Sequence, residues 1–438
     1  MLNWPITDRL PYFLQSAKYV NELSTINYTL SWRRNCQTCS PDLRKATAPL
    51  TRLVQQWSES LDASKYVGVI FFDLQKAFDK VWHKGLLAKL SAAGISDSAF
   101  EWFQSYLSNR RQRTRVTDAI SCPNFLFAGV PQGAILSPLL FSLYVNDIVN
   151  CVDALDDPEI NLFADDTSFY LEDRSASSLS IRLQKSVNTL SAWFKKWLLS
   201  VNPQKTALLV LRTTNMQPLN ISITIDGTDI RQVVQHKHLG VTFNDRLTWK
   251  DHVDTISTKA ARKIGFLRRN RKRLPQIMLQ HMYKTSILPA LDYASVAWSG
   301  LSTTEKHLLE RIQRKAARLI TSETTRHDIP HDILLSRAGL PTLSSRREVE
   351  QIVFAFKFLH NLLPDHVLDK LMHWKKKKPE RSASLRHGNQ IRLPLPHKSV
   401  LIRSPLYSSL SLWNNLSDKL SSPPISVSAL LSLLLSFS

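Results

Sequence analysis

The sequence predicts an α+β protein, with strands and helices interspersed up to about residue 245 and a mainly helical remainder. Three observations predict it. Tyr66–Phe72 (YVGVIFF) is an apolar, β-branched and aromatic run bounded by polar residues, as expected of a buried strand. Leu183–Leu199 carries apolar side chains at helical spacing, among them Trp193, Phe194 and Trp197. Beyond about residue 245 strand signals give way to helical periodicity laced with basic residues.

The elements follow in order. Asp73 closes the first strand. Leu86–Leu107 has helical spacing that Gly94 and Asp97 break into two helices. Arg110, Arg111, Arg113 and Arg115 come next, on a hairpin. Ser137-Pro138 is expected to cap and open a helix through Leu140, Leu143, Tyr144 and Ile148. Asn161–Leu171 (NLFADDTSFYL) predicts two short strands around a turn at Asp165-Asp166. Ala207–Leu211 and Ile221–Ile225 predict two more, the second turning at Asp226-Gly227. In the helical part, Lys259, Arg262, Lys263, Arg268, Arg269, Arg271, Lys272 and Arg273 form a basic run without an acid. Arg311, Arg314, Lys315 and Arg318 share one helix face, and Leu309, Ile312, Ala316 and Leu319 another. After Lys375–Lys378 the chain turns rich in Ser, Pro and Leu.

A length of 438 residues suggests two or three domains. With 43% hydrophobic and 21% charged residues, most of the chain can bury a core, which excludes general disorder. Lysine and arginine number 57 against 36 acids, a formal charge of +21. That imbalance favours a polyanionic partner, nucleic acid before an anionic membrane surface. The four cysteines form no disulfide framework. Cys36 and Cys39 make one C-x-x-C with no second ligand pair at zinc spacing, so they read as thiols in a loop. The N-terminus lacks the features of a signal peptide. Ala429–Phe437 falls short of the ~20 apolar residues of a membrane span. An intracellular protein with no membrane segment is expected.

Three acids stand out, because carboxylates are costly to bury unpaired and Asp73, Asp165 and Asp166 each end or interrupt an apolar strand. Magnesium supplies one explanation, since it takes oxygen ligands from one or two carboxylates, phosphates and water. Two such ions ~3.5–4 Å apart can activate an attacking hydroxyl and stabilise a leaving pyrophosphate. A plain hairpin turn, which Asp favours, is the other reading. Gly129-Val130-Pro131-Gln132-Gly133 places two of the chain's 11 glycines around a Pro-Gln pair. Such a loop either lets backbone approach a substrate or simply turns the chain before a helix.

FFDLQKAFDKV (Phe71–Val81), GVPQGAILSPLLFSLYVND (Gly129–Asp147) and FADDT (Phe163–Thr167) resemble, in order, the three core palm motifs of reverse transcriptases. The variants are similar to those of LINE-type, non-LTR retrotransposon enzymes. NPQKT (Asn202–Thr206) resembles the segment after the active-site helix, and HLGVTF (His238–Phe243) the hairpin that grips the primer. WNNLSDKL (Trp413–Leu420) is similar to the C-terminal tail of these element proteins. The resemblance covers about residue 44 to the end and is most specific between 66 and 245.

It implies a right-hand polymerase: a degenerate segment at 1–43, a fingers remnant and palm with an antiparallel sheet at 44–245, a helical thumb at 246–330, and a C-terminal helical region at 331–438. The implied activity is an RNA-directed DNA polymerase, with RNA template, DNA primer and dNTPs as partners and two Mg2+ ions, or Mn2+, as cofactor. By the same resemblance the place of action is the nucleus or a cytoplasmic ribonucleoprotein. Asp73 and Asp165 would be the principal metal ligands and Asp166 would complete the cluster. Phe78 occupies the sugar-gate position, where a ring would clash with a ribose 2′-hydroxyl; a core Phe is the alternative. Gln132 would contact the incoming nucleotide and Gly133 would permit its approach. Lys205 matches a lysine that donates a proton to the leaving pyrophosphate; a solvated loop lysine is the alternative. Asp79 reads as structural. Lys259, Arg262, Lys263, Arg268, Arg269 and Arg271 would lie on the thumb along the duplex backbone, or else form a solvated basic face.

The sequence departs from the family in places. Only 72 residues precede Asp73, fewer than a full fingers region, and Leu30–Lys45 matches the second fingers motif loosely, with Arg33 or Arg34 as a triphosphate contact. An upstream endonuclease and a charged ending are missing. A truncated copy is therefore expected, and a catalytically inactive nucleic-acid-binding remnant is the alternative function.

Overall fold

The apolar run Tyr66–Phe72 becomes β1, the central strand of a five-stranded sheet. The computed structural model describes residues 47–152, 158–323, 329–376, 391, 393–417 and 426–436. Arg33, Arg34, Cys36 and Cys39 lie outside the described residues. The other strands are β2 (Glu159–Phe163), β3 (Asp166–Asp173), β4 (Ala207–Leu211) and β5 (Arg231–Val233), in the order β5-β4-β1-β3-β2. β1 runs antiparallel to β3 and β4, and β2 antiparallel to β3. The edge strand β5 is parallel to β4, so the expected antiparallel sheet is a mixed one.

Helices α1 (Thr47–Asp62), α2 (His83–Ala92), α3 (Asp97–Leu107), α4 (Ser137–Val145) and α5 (Ala176–Lys196) accompany the sheet. Val67, Val69 and Phe71 of β1 face a core shared with Leu50, Leu53 and Trp57 of α1. Ile70 and Phe72 face the opposite core, with Phe141 of α4 and Leu183, Val187 and Phe194 of α5. Burial on both faces explains why β1 reads as a continuous apolar run rather than an alternating one.

The remainder is helical, as expected: α6 (Lys250–Arg269), α7 (Gln276–Ser286), α8 (Leu288–Asp292), α9 (Thr303–Thr321), α10 (His331–Arg337) and α11 (Leu343–Leu359). Val253 and Ile264 of α6, Tyr283 of α7 and Ile312 of α9 extend the α1-side core without a break. A third core joins Phe354, Phe356 and Phe358 of α11 to Leu406, Leu410 and Trp413 of the helix Pro405–Ser417. That last region returns to α1, where the Asp62 carboxylate accepts from the amides of His397 (3.2 Å) and Lys398 (2.6 Å).

Several local expectations change. Leu136, not Ser137, is the N-cap of α4; the Ser137 hydroxyl donates instead to the Pro131 carbonyl. α5 starts earlier than its apolar stripe, at a Ser175 cap that accepts from the Ser178 amide, and it stops at Lys196. Of Ile221–Ile225 only Thr224–Ile225 pairs as strand, with Thr228–Asp229. Side-chain amides replace the ladder there: Gln232 Oε1 accepts from the Ile221 amide (2.8 Å) and Gln184 Oε1 from the Thr224 amide (2.9 Å).

Candidate functional site

The register of the sheet brings the three acids together. Phe72 of β1 pairs with Thr167 of β3 as the last pair of that ladder, and Asp73 and Asp166 are the next residues on the two strands. Phe163 pairs with Asp166 across β2 and β3, which leaves Ala164 and Asp165 as the turn. Ala164 takes φ +54° to close it. Asp166 therefore opens a strand rather than sitting in the turn, and Asp165 projects beside it.

The Asp166 carboxyl is pushed up to about 6 by partial burial, then by the negative charges of Asp165 and Asp73. Its surface is open to solvent, so the like charges are the cause that the register independently supports. Among the described residues no three His, Cys, Asp or Glu side chains form a ready-made metal ligand set. The acids are close enough to repel one another.

The segment NPQKT holds Asp73 by its backbone. The Asn202 amide donates to the Asp73 carbonyl (2.8 Å), and the Asp73 amide donates to Thr206 Oγ1 (3.3 Å). Thr206 Oγ1 in turn donates to the Asn202 carbonyl (2.8 Å), and Asn202 Oδ1 accepts from the Gln204 amide (3.2 Å), an Asx turn. Lys205 stands exposed on this turn and lines an open hollow of about 490 Å³ together with Asp73, Lys76, Lys80 and Asn202. The roles of Asn202 and Thr206 were missed in the sequence, although an Asn-Pro start and a Thr four residues later are turn signals.

The glycine loop docks on the short 3-10 turn Ala77–Lys80. Gly129 donates to the Val81 carbonyl and Val130 to the Phe78 carbonyl, both at 2.8 Å. Gly129 has φ +93°, and a Cβ there would lie 2.8 Å from the Asp79 carbonyl oxygen. Gln132 Nε2 donates to Asp79 Oδ1 at 2.9 Å, so the residue expected at the nucleotide is already tied to the acid read as structural. Gly133 has φ +83°, and a Cβ there would meet nothing within 4 Å. Phe78 is half-buried, its ring centroid 4.7 Å from that of Phe141. The contact with Phe141 gives Phe78 a packing role.

The basic run divides between α6 and a 3-10 turn, Arg271–Arg273. Lys259, Arg262, Lys263, Arg268 and Arg269 are exposed and Arg271 half-exposed. Lys263 Nζ donates to the Ser286 carbonyl at 2.7 Å. The opposite face of α6, with Val253, Ala260, Ile264 and Leu267, is buried.

With that geometry in view, comparison with known proteins decides the family. The profile of a family described as "Reverse transcriptase (RNA-dependent DNA polymerase)" matches residues 19–243, over half of the chain. The chain belongs to the reverse transcriptase family. It is similar to a probable RNA-directed DNA polymerase from transposon BS of Drosophila melanogaster, 31% identical across 62% of this chain and 30% of that protein. It is also similar to the RNA-directed DNA polymerase from mobile element jockey of Drosophila funebris, 28% identical across 66% of this chain and 32% of that one. This reverse transcriptase chain thus spans about a third of the length of those curated relatives, whose names agree with the likeness to LINE-type enzymes. Among solved structures, apo telomerase from Candida tropicalis aligns at a TM-score of 0.40 and 12% identity, over 82% of this chain and 60% of that one.

Proposed function

We propose that this chain is an RNA-directed DNA polymerase of a non-LTR retrotransposon, adding deoxynucleotides to a primer 3′-hydroxyl on an RNA template. The observation that carries this reading is the convergence of Asp73, Asp165 and Asp166 at one end of the sheet. Residues 44–245 then act as fingers remnant and palm, 246–330 as thumb, and 331–438 as a C-terminal region, of which His397 and Lys398 bond to Asp62 of α1.

The donor chemistry fits a pair of hard divalent cations, Mg2+ or Mn2+, because three carboxylates offer oxygen ligands and a mutual repulsion that a cation relieves. When bound, such ions supply positive charge to the transferring phosphoryl group. The chain's own residues do the rest. The 202–206 turn fixes Asp73. Gln132 and Gly133 form the floor for the incoming nucleotide, with Asp79 orienting Gln132. Phe78 presents its ring edge to the sugar, and Lys205, in the hollow beside Asp73, donates a proton to pyrophosphate. The exposed cations of α6 contact duplex phosphates without reading sequence. Among the described residues no helix is long and apolar enough to cross a membrane.

Extension of a DNA primer on a homopolymer RNA template, with Mg2+ and with Mn2+, tests this. Wild-type incorporation that disappears in Asp165→Asn is the expected result, and incorporation that persists in the variant overturns the assigned site. One observation favours a second reading, an inactive nucleic-acid-binding remnant: the acids form no ready-made ligand set. That reading requires salt-sensitive RNA binding with no extension under either metal, and measured turnover dismisses it.

A further inference from the structure

At the far end of the sheet from the three acids lies a second basic cavity. β4 runs from Ala207, opposite Phe71, to Leu211, opposite Val67. At about 3.3 Å per residue this carries the chain roughly 13 Å away from the acidic end. There Thr213, Arg246, Lys398 and Arg403 line a cavity of about 440 Å³, with Trp249 and Leu61 among its apolar walls. That size is in the range of small-molecule sites.

The neighbouring acids are taken, while the two arginines of the cavity are exposed. Asp245 pairs with Arg212 at 3.0 Å. Asp62 accepts the His397 and Lys398 amides. Glu305 serves the capping box of α9, accepting from the Ser302 amide at 2.6 Å. Lys398 Nζ donates to the Leu61 carbonyl at 3.1 Å. Arg403 is seated against Gly300, where a Cβ would lie 2.5 Å from the Arg403 carbonyl oxygen. Among the described residues the side chains of Arg246 and Arg403 have no hydrogen-bond or ion-pair partner. The buried Thr213 Oγ1 in the same wall has no hydrogen-bond partner either. Two guanidiniums without a partner and a lysine at one cavity are the complement of a phosphate.

We infer that this cavity binds a phosphomonoester, carried by a free nucleotide or by the 5′ end of a nucleic acid. A monoester is favoured over an internal diester by charge: it brings two negative charges to an excess of cations, and its bulk ends at the phosphate, as a cavity of this size requires. The site stands apart from the polymerase reading and does not depend on it.

Titration calorimetry on the full chain, in EDTA to remove divalent cations, tests it. Adenosine 5′-monophosphate is compared with adenosine, and a 5′-phosphorylated oligoribonucleotide with its 5′-hydroxyl counterpart. The phosphorylated member of at least one pair is expected to bind tenfold tighter or more. A preference within the first pair assigns the free nucleotide, and a preference confined to the second assigns the nucleic-acid end. Arg246→Ala combined with Arg403→Ala should abolish the preference, and Gly300→Ala should weaken it by displacing Arg403. If the double variant fails to fold, Arg246→Gln alone decides, since its side chain is exposed. Equal binding within both pairs, or a preference that survives the arginine substitutions, overturns the proposal.

Discussion

The Asn202 amide donates to the carbonyl of Asp73 at 2.8 Å, so the turn at 202–206 grips the backbone that presents the first acid. Strand ends fray when their backbone groups face solvent, and here the Asp73 amide is also taken, by Thr206 Oγ1. Thr206 is fully buried, at 0% exposure. Thr206→Val keeps the shape and removes the hydroxyl, leaving the Asp73 amide short of a partner, while the Asn202 carbonyl keeps the Thr206 and Lys205 amides. A loss of about 1–3 kcal/mol is expected in denaturant unfolding, with primer extension falling further than stability explains and Thr206→Ser restoring most of both. Unchanged extension in the valine variant would mean that Asp73 needs no such anchor.

Asp166 yields an electrostatic prediction. Its carboxyl sits at about 6, raised by partial burial and by Asp165 and Asp73. At this group the folded state binds more protons than the unfolded one between pH ~4 and 6, so the contribution of Asp166 to stability falls as pH rises through that window. Asp166→Asn removes the repulsion. Without divalent cations it should melt above wild type at pH 7.5, with the gap closing towards pH 4. Mg2+ should raise the wild-type melting temperature more than the variant's. Thermal melts at both pH values check this, and a variant that melts lower at pH 7.5 contradicts the like-charge cluster.

The two glycines of the loop should respond differently. Gly129→Ala meets both a left-handed backbone and the Asp79 carbonyl at 2.8 Å, whereas Gly133→Ala meets only the strained φ. About 1 kcal/mol is expected for Gly133→Ala and at least twice that for Gly129→Ala. Equal unfolding free energies for the two would show that the loop yields at Asp79.

Phe78 couples stability to substrate choice. Phe78→Val gives up a ring contact with Phe141, worth about 0.5–1.5 kcal/mol beyond area. On the proposed reading it also opens space for a 2′-hydroxyl. Incorporation of ribonucleotides relative to deoxynucleotides should rise, and an unchanged ratio would confine Phe78 to packing.

How much of this was legible depended on how local the cause was. β1, the break at Gly94 and Asp97, and the hairpin carrying Asp165 and Asp166 follow from side-chain period and turn chemistry within a few residues. Tertiary partners decided the rest. Gln132 is held by Asp79, 53 positions earlier in the chain. Ile221–Ile223 leaves the strand because Gln232 supplies hydrogen bonds that a neighbouring strand would otherwise give. The end of the chain docks on Asp62 through His397 and Lys398, more than 330 residues away. No periodicity records contacts of that range, and β5 is three residues long, too short for its parallel pairing to leave a pattern.

Buried histidines set the acid limit of the fold. Burial, with help from Lys259, Lys237 and Arg347, pushes His252 down to about 4, and burial with His236 pushes His238 down to about 3. Both are neutral at pH 7. His252 Nδ1 accepts from the Thr242 amide at 3.3 Å, and its ring packs edge-on against Trp298. An unfolded histidine titrates near 6.5, so the unfolded state binds more protons as pH falls. The contribution of His252 is intact above pH 6.5 and is lost as pH falls from 6.5 to 4. Full protonation of a group depressed from 6.5 to about 4 corresponds to roughly 3 kcal/mol. His252→Gln keeps an acceptor for Thr242 and cannot titrate. Its unfolding free energy should fall less steeply than wild type between pH 6.5 and 4, as read from urea melts at several pH values. Parallel curves for the two proteins would place the acid-sensitive group elsewhere.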